Sequence, residues 1–211
     1  MKGARLYGAK DLRIEEMEMP RPRPGEALVR IEAVGICGSD VHYFVDGRIG
    51  DAVVRAPLIL GHEFAGVVEE VGEGVAGFVP GVRVAVEPGV ACGACEPCRM
   101  GKYNLCLNIR FCGTPPVDGA YRERMVYPVD YLYPLPECVS SEEGAMIETL
   151  AVAVHATDLG RERGGEHGCG DRCGIGGPVD GAVGPDLGRE RGVRRGSASR
   201  AAGGGEASGR G

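Results

Sequence analysis

Four cysteines carry the most explicit chemistry in the chain. Cys92, Cys95, Cys98 and Cys106 stand as C-x2-C-x2-C-x7-C inside VACGACEPCRMGKYNLC. Two-residue gaps let successive thiolates turn toward one ion, with Gly93 and Pro97 supplying the tight backbone and Cys106 the fourth corner of a tetrahedron. Four protein ligands leave no open coordination position, so the spacing describes a structural zinc site. An iron–sulfur run would have a shorter last gap followed by proline, and four unrelated thiols seldom fall at such regular short intervals. Cys112, Cys138, Cys169 and Cys173 have no partners of this kind and read as plain residues.

A catalytic zinc needs fewer protein ligands and an open position, and its ligands come from separate elements. Cys37 opens CGSDVH at the end of a strand pattern, His62 lies in GHEFAG, and Glu148 sits in an apolar helical stretch. Glu148 is the most telling of the three. A carboxylate flanked by Ile147, Thr149 and Leu150 is costly to bury unless it is paired or bound to a cation. Each residue also has a plain reading: Cys37 as a small core residue, His62 as a satisfied hydrogen-bonder, Glu148 as a group reaching solvent. Their spacing alone does not join them.

The elements that must hold these groups are mainly strands. In ALVRIEAV, Val29, Ile31 and Ala33 fall on one side and Arg30 and Glu32 on the other, the alternation of a half-buried strand. Val82, Val84 and Val86 alternate in the same way with Arg83, Ala85 and Glu87, and GVVEEVG at 66–72 is a further β-branched run closed by glycine. Residues 1–135 therefore predict an irregular, barrel-like β domain, with proline and glycine breaking it at short intervals. A helix is expected from Ser140, with Glu143 completing a capping box, to about Leu159. Its sequence is apolar nearly all round, which predicts burial. Domain boundaries follow: 1–159 folded, 160–211 a tail. The tail holds 18 glycines in 52 residues and only five Val, Ile or Leu. Such a segment cannot offset its chain entropy by burial and is expected to be disordered. It reads as either a flexible tail or a GC-rich gene translated in a wrong frame, and its abrupt Gly, Arg and Ala enrichment favours the latter.

Charge narrows the function classes. Residues 1–159 contain 15 Lys and Arg against 23 Asp and Glu, a net of −8, while 160–211 carry a net of +2. An acidic body has no footprint for nucleic-acid phosphates. The start, MKGARLYGAKDLRIEE, has no run of signal-peptide length, and nowhere do eighteen apolar residues follow one another. The expectation is a soluble cytoplasmic protein with no membrane partner, in which the nine cysteines stay reduced and metal binding or reactivity accounts for them better than disulfides.

Beside that reading stands a resemblance. GHEFAG at 61–66, followed by Gly72 and Val75, matches the pattern GHE-x2-G-x5-G-x2-V, and the four-cysteine lobe follows at the expected distance. Residues 1–159 thus resemble the zinc-containing medium-chain dehydrogenases. CGSDVHYF, GRIG at 47–50 and FCGTPPVDGAYRERMVYP look most like sorbitol and related polyol dehydrogenases, and threonine dehydrogenases share the CGSDVH region. The resemblance implies a GroES-like catalytic domain in which Cys37 and His62 hold a catalytic zinc, with Glu63 and Glu148 as acidic partners, either of them bound directly to the ion and the other then holding its water. It further implies that Ser39 and His42 relay the alcohol proton, and that Tyr43 and Phe111 line the substrate pocket. By family the function is then transfer of a hydride from a secondary alcohol of a small polyol to NAD(P), in a homo-oligomer for the full-length members, an assembly not carried over to this chain.

The family continues after this helix with a Rossmann fold, whose strand and G-x-G-x-x-G loop are missing here. The nearest run, Gly174-Ile175-Gly176-Gly177-Pro178-Val179, has valine in place of the third glycine. No residue is therefore assigned to the dinucleotide. The chain as given is expected neither to bind NAD(H) tightly nor to oxidise sorbitol, xylitol or threonine. A threonine or other zinc alcohol dehydrogenase, and a non-catalytic zinc-binding fragment, are the alternatives that remain.

Overall fold

The computed structural model describes residues 1–162. The expectations for the tail, including its disorder and the absence of a dinucleotide fold, and the readings of Cys169 and Cys173, lie outside those residues. Strands β1 (Lys2–Gly8) and β2 (Asp11–Glu16) form a hairpin, and β3 (Glu26–Val34) leads into α1 (Gly38–Asp46). Then follow β4 (Arg48–Ile49), β5 (Ala52–Val53), β6 (Leu58–Ile59), β7 (Phe64–Val71), β8 (Arg83–Val86) and β9 (Gly89–Val90). After the one-turn helix α2 (Glu96–Arg99) come β10 (Arg110–Phe111), β11 (Arg124–Pro128), β12 (Leu132–Pro134), α3 (Ser141–Ala145) and α4 (Ile147–Glu162). A five-stranded antiparallel sheet in the order β11-β3-β7-β8-β12 is the frame, with a smaller sheet β2-β1-β6 and the pairs β4-β5 and β9-β10 around it.

The alternation in the sequence becomes the inner face of this sheet. Val29 pairs with Val68 across β3 and β7, and both are buried with Val84, Val86, Phe64 and Tyr127 in one cluster. Burial of such side chains contributes roughly 1.5–3 kcal/mol each. One expectation fails: Ala85, placed by its alternation with Val84 and Val86 on the polar side, is buried as well. The reason is α3, which packs across β3, β7 and β8. Ala65 lies opposite Ala85 in the sheet, and a Cβ on Gly144 would stand 3.0 Å from that of Ala65. Small residues on both sides let the helix close on the sheet.

Gly66, the second glycine of the GHE pattern, meets a different constraint. A Cβ at Gly66 would overlap the Arg30 carbonyl oxygen of β3. Gly66→Ala is therefore expected to force the β3–β7 pair apart and lower stability by about 1–3 kcal/mol, the usual cost of overpacking. Urea unfolding checks this, and an unchanged midpoint would refute it.

The C-terminal helix differs from expectation in two ways. The capping box forms as the sequence predicts, with the Ser140 hydroxyl accepting from the Glu143 N–H at 3.2 Å and the Glu143 carboxylate accepting from the Ser140 N–H at 2.8 Å. The helix then breaks at Met146, whose N–H is shared between the carbonyls of Glu142 and Gly144, and restarts as α4. Glycine inside α3 weakens helix continuation by about 1 kcal/mol, while its fit against Ala65 holds the first turn to the sheet. Nor is α4 buried all round: Ala153 is 8% exposed but Val152 is 49% exposed. Among the described residues only one side of α4 has something to pack against.

Candidate metal centres

The lobe at 91–109 springs from the β9-β10 pair, Gly89 facing Phe111 and Val90 facing Arg110. Its base is pinned where the Ala91 N–H donates to the Tyr131 hydroxyl at 3.0 Å. Inside it, Gly93 and Gly101 take left-handed backbone at φ 69 and 75, which turns the chain back on itself. The four thiols consequently meet: the sulfurs of Cys92, Cys95, Cys98 and Cys106 all lie within 4.8 Å of one another. Cys95 is 3.3 Å from Cys98 and 3.8 Å from Cys106. A tetrahedron with zinc–sulfur bonds near 2.3 Å has edges of about 3.8 Å, so the set fits that ion.

The electrostatics of the lobe point the same way. Backbone N–H groups of Ala94 and Cys95 draw the Cys92 thiol down to about 6, and those of Cys92 and Asn108 point at the Cys106 sulfur at 3.2 and 3.4 Å. Burial and the neighbouring sulfurs of Cys95 and Cys106 push Cys98 up to about 12. Amides that favour thiolates and sulfurs that repel one another are reconciled by a cation among them.

The second group assembles for a topological reason. β3 and β7 are antiparallel, with Val34 opposite Phe64, so the residues after β3 lie beside those before β7. The Gly35 N–H donates to the Glu63 carbonyl at 2.7 Å across that junction. Cys37 then caps α1 with extended backbone, and its sulfur, a His62 ring nitrogen and a Glu63 carboxylate oxygen lie within 4.8 Å of one another. His62 is 7% exposed, and its ring lies 5.4 Å from that of Phe111. Of the two glutamates it is Glu63 that joins the cluster. Glu148, at the start of α4, stands just outside it: burial raises its pKa, while nearby His62 lowers it and Glu63 raises it further.

The remaining residues separate. Ser39 lies in the first turn of α1, half-buried, and His42 on the exposed face of the same helix, 3.5 Å from Asp46. Phe111 and Glu148 line a cavity of about 600 Å³, together with Val86, Glu87, Pro88, Asn104, Tyr133, Ala151 and His155. Tyr43 does not line it. That side chain is 3% exposed and packs with Leu6, Leu58 and Leu60 in the smaller core, because it falls on the inward face of α1. Cys112 is buried, its thiol 3.5 Å from the Tyr127 hydroxyl, and Cys138 is exposed.

Two residues that the sequence reading passed over are central to this geometry. Asp40 is 3% exposed and accepts from the Cys37 N–H, the Gly61 N–H and the Tyr121 hydroxyl, each at 3.0 Å. The signal for Asp40 was its place three residues after a helix cap. Tyr121 had none, since it lies 81 residues away from its partner. Its hydroxyl keeps its proton, because burial and then Asp40 push its pKa up.

Against known proteins, residues 23–137 match the family model described as the alcohol dehydrogenase GroES-like domain. The chain is 47% identical over 156 residues to the sorbitol dehydrogenase of Bacillus subtilis, covering 74% of this chain and 44% of that one. It is 51% identical over 151 residues to the sorbitol dehydrogenase of Arabidopsis thaliana, covering 72% and 42%. Among solved structures it matches the short chain alcohol dehydrogenase of Escherichia coli CFT073 complexed with NADH, with a TM-score of 0.69 and 38% identity over 76% of this chain and 46% of that one. The chain thus spans less than half the length of these relatives.

Proposed function

Because the chain belongs to the alcohol dehydrogenase GroES-like family, we propose that residues 1–159 are the zinc-binding, substrate-activating part of a cytoplasmic oxidoreductase that acts on a secondary alcohol of a small polyol. The observation that carries this is the convergence of Cys37, His62 and Glu63 beside a cavity that Phe111 and Glu148 line. Sulfur, imidazole and carboxylate are a donor set suited to zinc, and three protein ligands leave a position open. Zinc bound there supplies Lewis-acid charge that favours loss of a proton from an alcohol. The four-thiol lobe is the closed, structural site.

The chain's own groups do the rest. Phe111 offers an apolar wall for the carbon chain of the polyol, and Glu148 at the cavity's edge accepts from its hydroxyls. Ser39 takes the alcohol proton in the first turn of α1, and His42 passes it to water from the exposed face of that helix. Glu63 is the carboxylate ligand and Glu148 the second, outer carboxylate. NAD(P) supplies the hydride acceptor, and no residue of 1–162 is assigned to holding it.

Cobalt tests the reading without requiring turnover. Substituted into the open site, it is expected to show a visible spectrum that sorbitol or xylitol shifts, and that shift should vanish in Cys37→Ser. A spectrum indifferent to polyol up to molar concentration would remove the substrate assignment.

A further inference from the structure

We propose that Tyr121 is a positioning residue for the Cys37–His62–Glu63 centre, its hydroxyl tying the turn that presents Cys37 to the strand entry that presents His62. The inference rests on that centre being a metal site. Its backbone already lies along the strand entry: the Gly119 N–H donates to the Ile59 carbonyl at 2.7 Å, Ala120 to Gly61 at 2.8 Å, and Tyr121 to Leu60 at 2.9 Å. These bonds fix residues 59–61 immediately before His62. The ring then lies over Gly61, where a Cβ would stand only 2.7 Å from Tyr121 Cδ1. Gly61 has φ +91 there, a conformation suited to glycine.

From that anchored ring the hydroxyl reaches across to the other half of the centre. It is 3.2 Å from the Gly35 carbonyl oxygen and 3.0 Å from Asp40 Oδ2. Those two acceptors bracket Cys37 in sequence. Asp40 carries the connection onward, because its carboxylate also accepts from the N–H of Cys37 and from the N–H of Gly61. One side chain therefore touches both halves of the ligand set, which β3 and β7 deliver separately. A phenyl ring would fill the same space against Gly61 but would leave Gly35 and Asp40 without this donor.

That distinction selects the test, Tyr121→Phe, which keeps the packing and removes only the hydroxyl. Zinc affinity at both sites is read by competition with a chromophoric chelator, and the geometry of the open site by its cobalt spectrum. The expected result is open-site zinc bound about 10–100-fold more weakly, the range usual for loss of a group that orients a ligand. The cobalt bands of that site should shift, while the zinc affinity of the four-thiol site stays as in the parent and the thermal transition falls by no more than the loss of one buried hydrogen bond. Unchanged open-site affinity and spectrum would overturn the proposal, and so would equal weakening of both sites, which marks a general packing role. If the parent chain bound only one zinc and Cys37→Ser released none, the metal reading itself would fall. A normal second zinc that responds to Cys37→Ser but not to Tyr121→Phe overturns the Tyr121 role alone.

Discussion

Cys92→Ser is expected to lower the zinc content of the purified protein from about two per chain to about one and to unfold the lobe at 91–109. The lobe has almost nothing else to hold it. Among its residues only Cys106 is buried, while Met100, Leu105 and Leu107 stand exposed, so there is no apolar cluster to stand in for the ion. In such a segment metal binding and folding are one event, and closed zinc sites supply about 10–16 kcal/mol of apparent binding free energy. The five-stranded sheet has its own core and should survive. Metal analysis together with limited proteolysis reads the result, the expected new cuts falling between 92 and 108. Unchanged zinc content and an intact lobe would show that the four thiols are not a metal site.

Cys37→Ser is expected to remove the other zinc and leave the fold in place. Cys37 is the N-cap of α1, a position at which serine is among the preferred residues, so the helix loses no stability by the exchange. Loss of a direct ligand should exceed the 10–100-fold cost typical of groups behind the ligands, which places it above about 2.8 kcal/mol. His62→Ala should do the same, with an added packing cost because the imidazole is buried against Phe111. A mild chelator should likewise strip this site before the four-thiol site, since an open position admits the competitor. Equal retention of zinc by the parent and Cys37→Ser would leave the convergence of Cys37, His62 and Glu63 without a metal role.

Much of this was legible in the residues themselves because it depends on short separations. The gaps between Cys92, Cys95, Cys98 and Cys106 bring the thiols together through local turns at Gly93 and Gly101, and no distant element has to cooperate. The capping box at Ser140 and the alternation of Val29 and Ile31 are local in the same sense. What failed were the inferences that needed a neighbour. Ala85 was placed on the polar face because its own strand alternates, and α3 covers it from 56 or more residues away. Tyr43, expected in a pocket wall from the resemblance to polyol dehydrogenases, is turned into the core by the phase of α1.

By itself, then, the sequence determined which donor types are present, the short spacing that lets four thiols meet and the β-rich frame, since each follows from residue chemistry and periods of a few residues. Only the tertiary structure decided which carboxylate joins Cys37 and His62. Both Glu63 and Glu148 were candidates by type. The antiparallel β3–β7 junction brings Glu63 within reach through one backbone bond from Gly35, whereas Glu148 arrives on a separate helix and stops outside the cluster. The same holds for Asp40 and Tyr121, whose meeting depends on chain segments 81 residues apart being folded against one another. Periodicity carries no information about such a pairing, because the three donors that offset the cost of burying Asp40 come from separate segments and converge only when the sheet has closed.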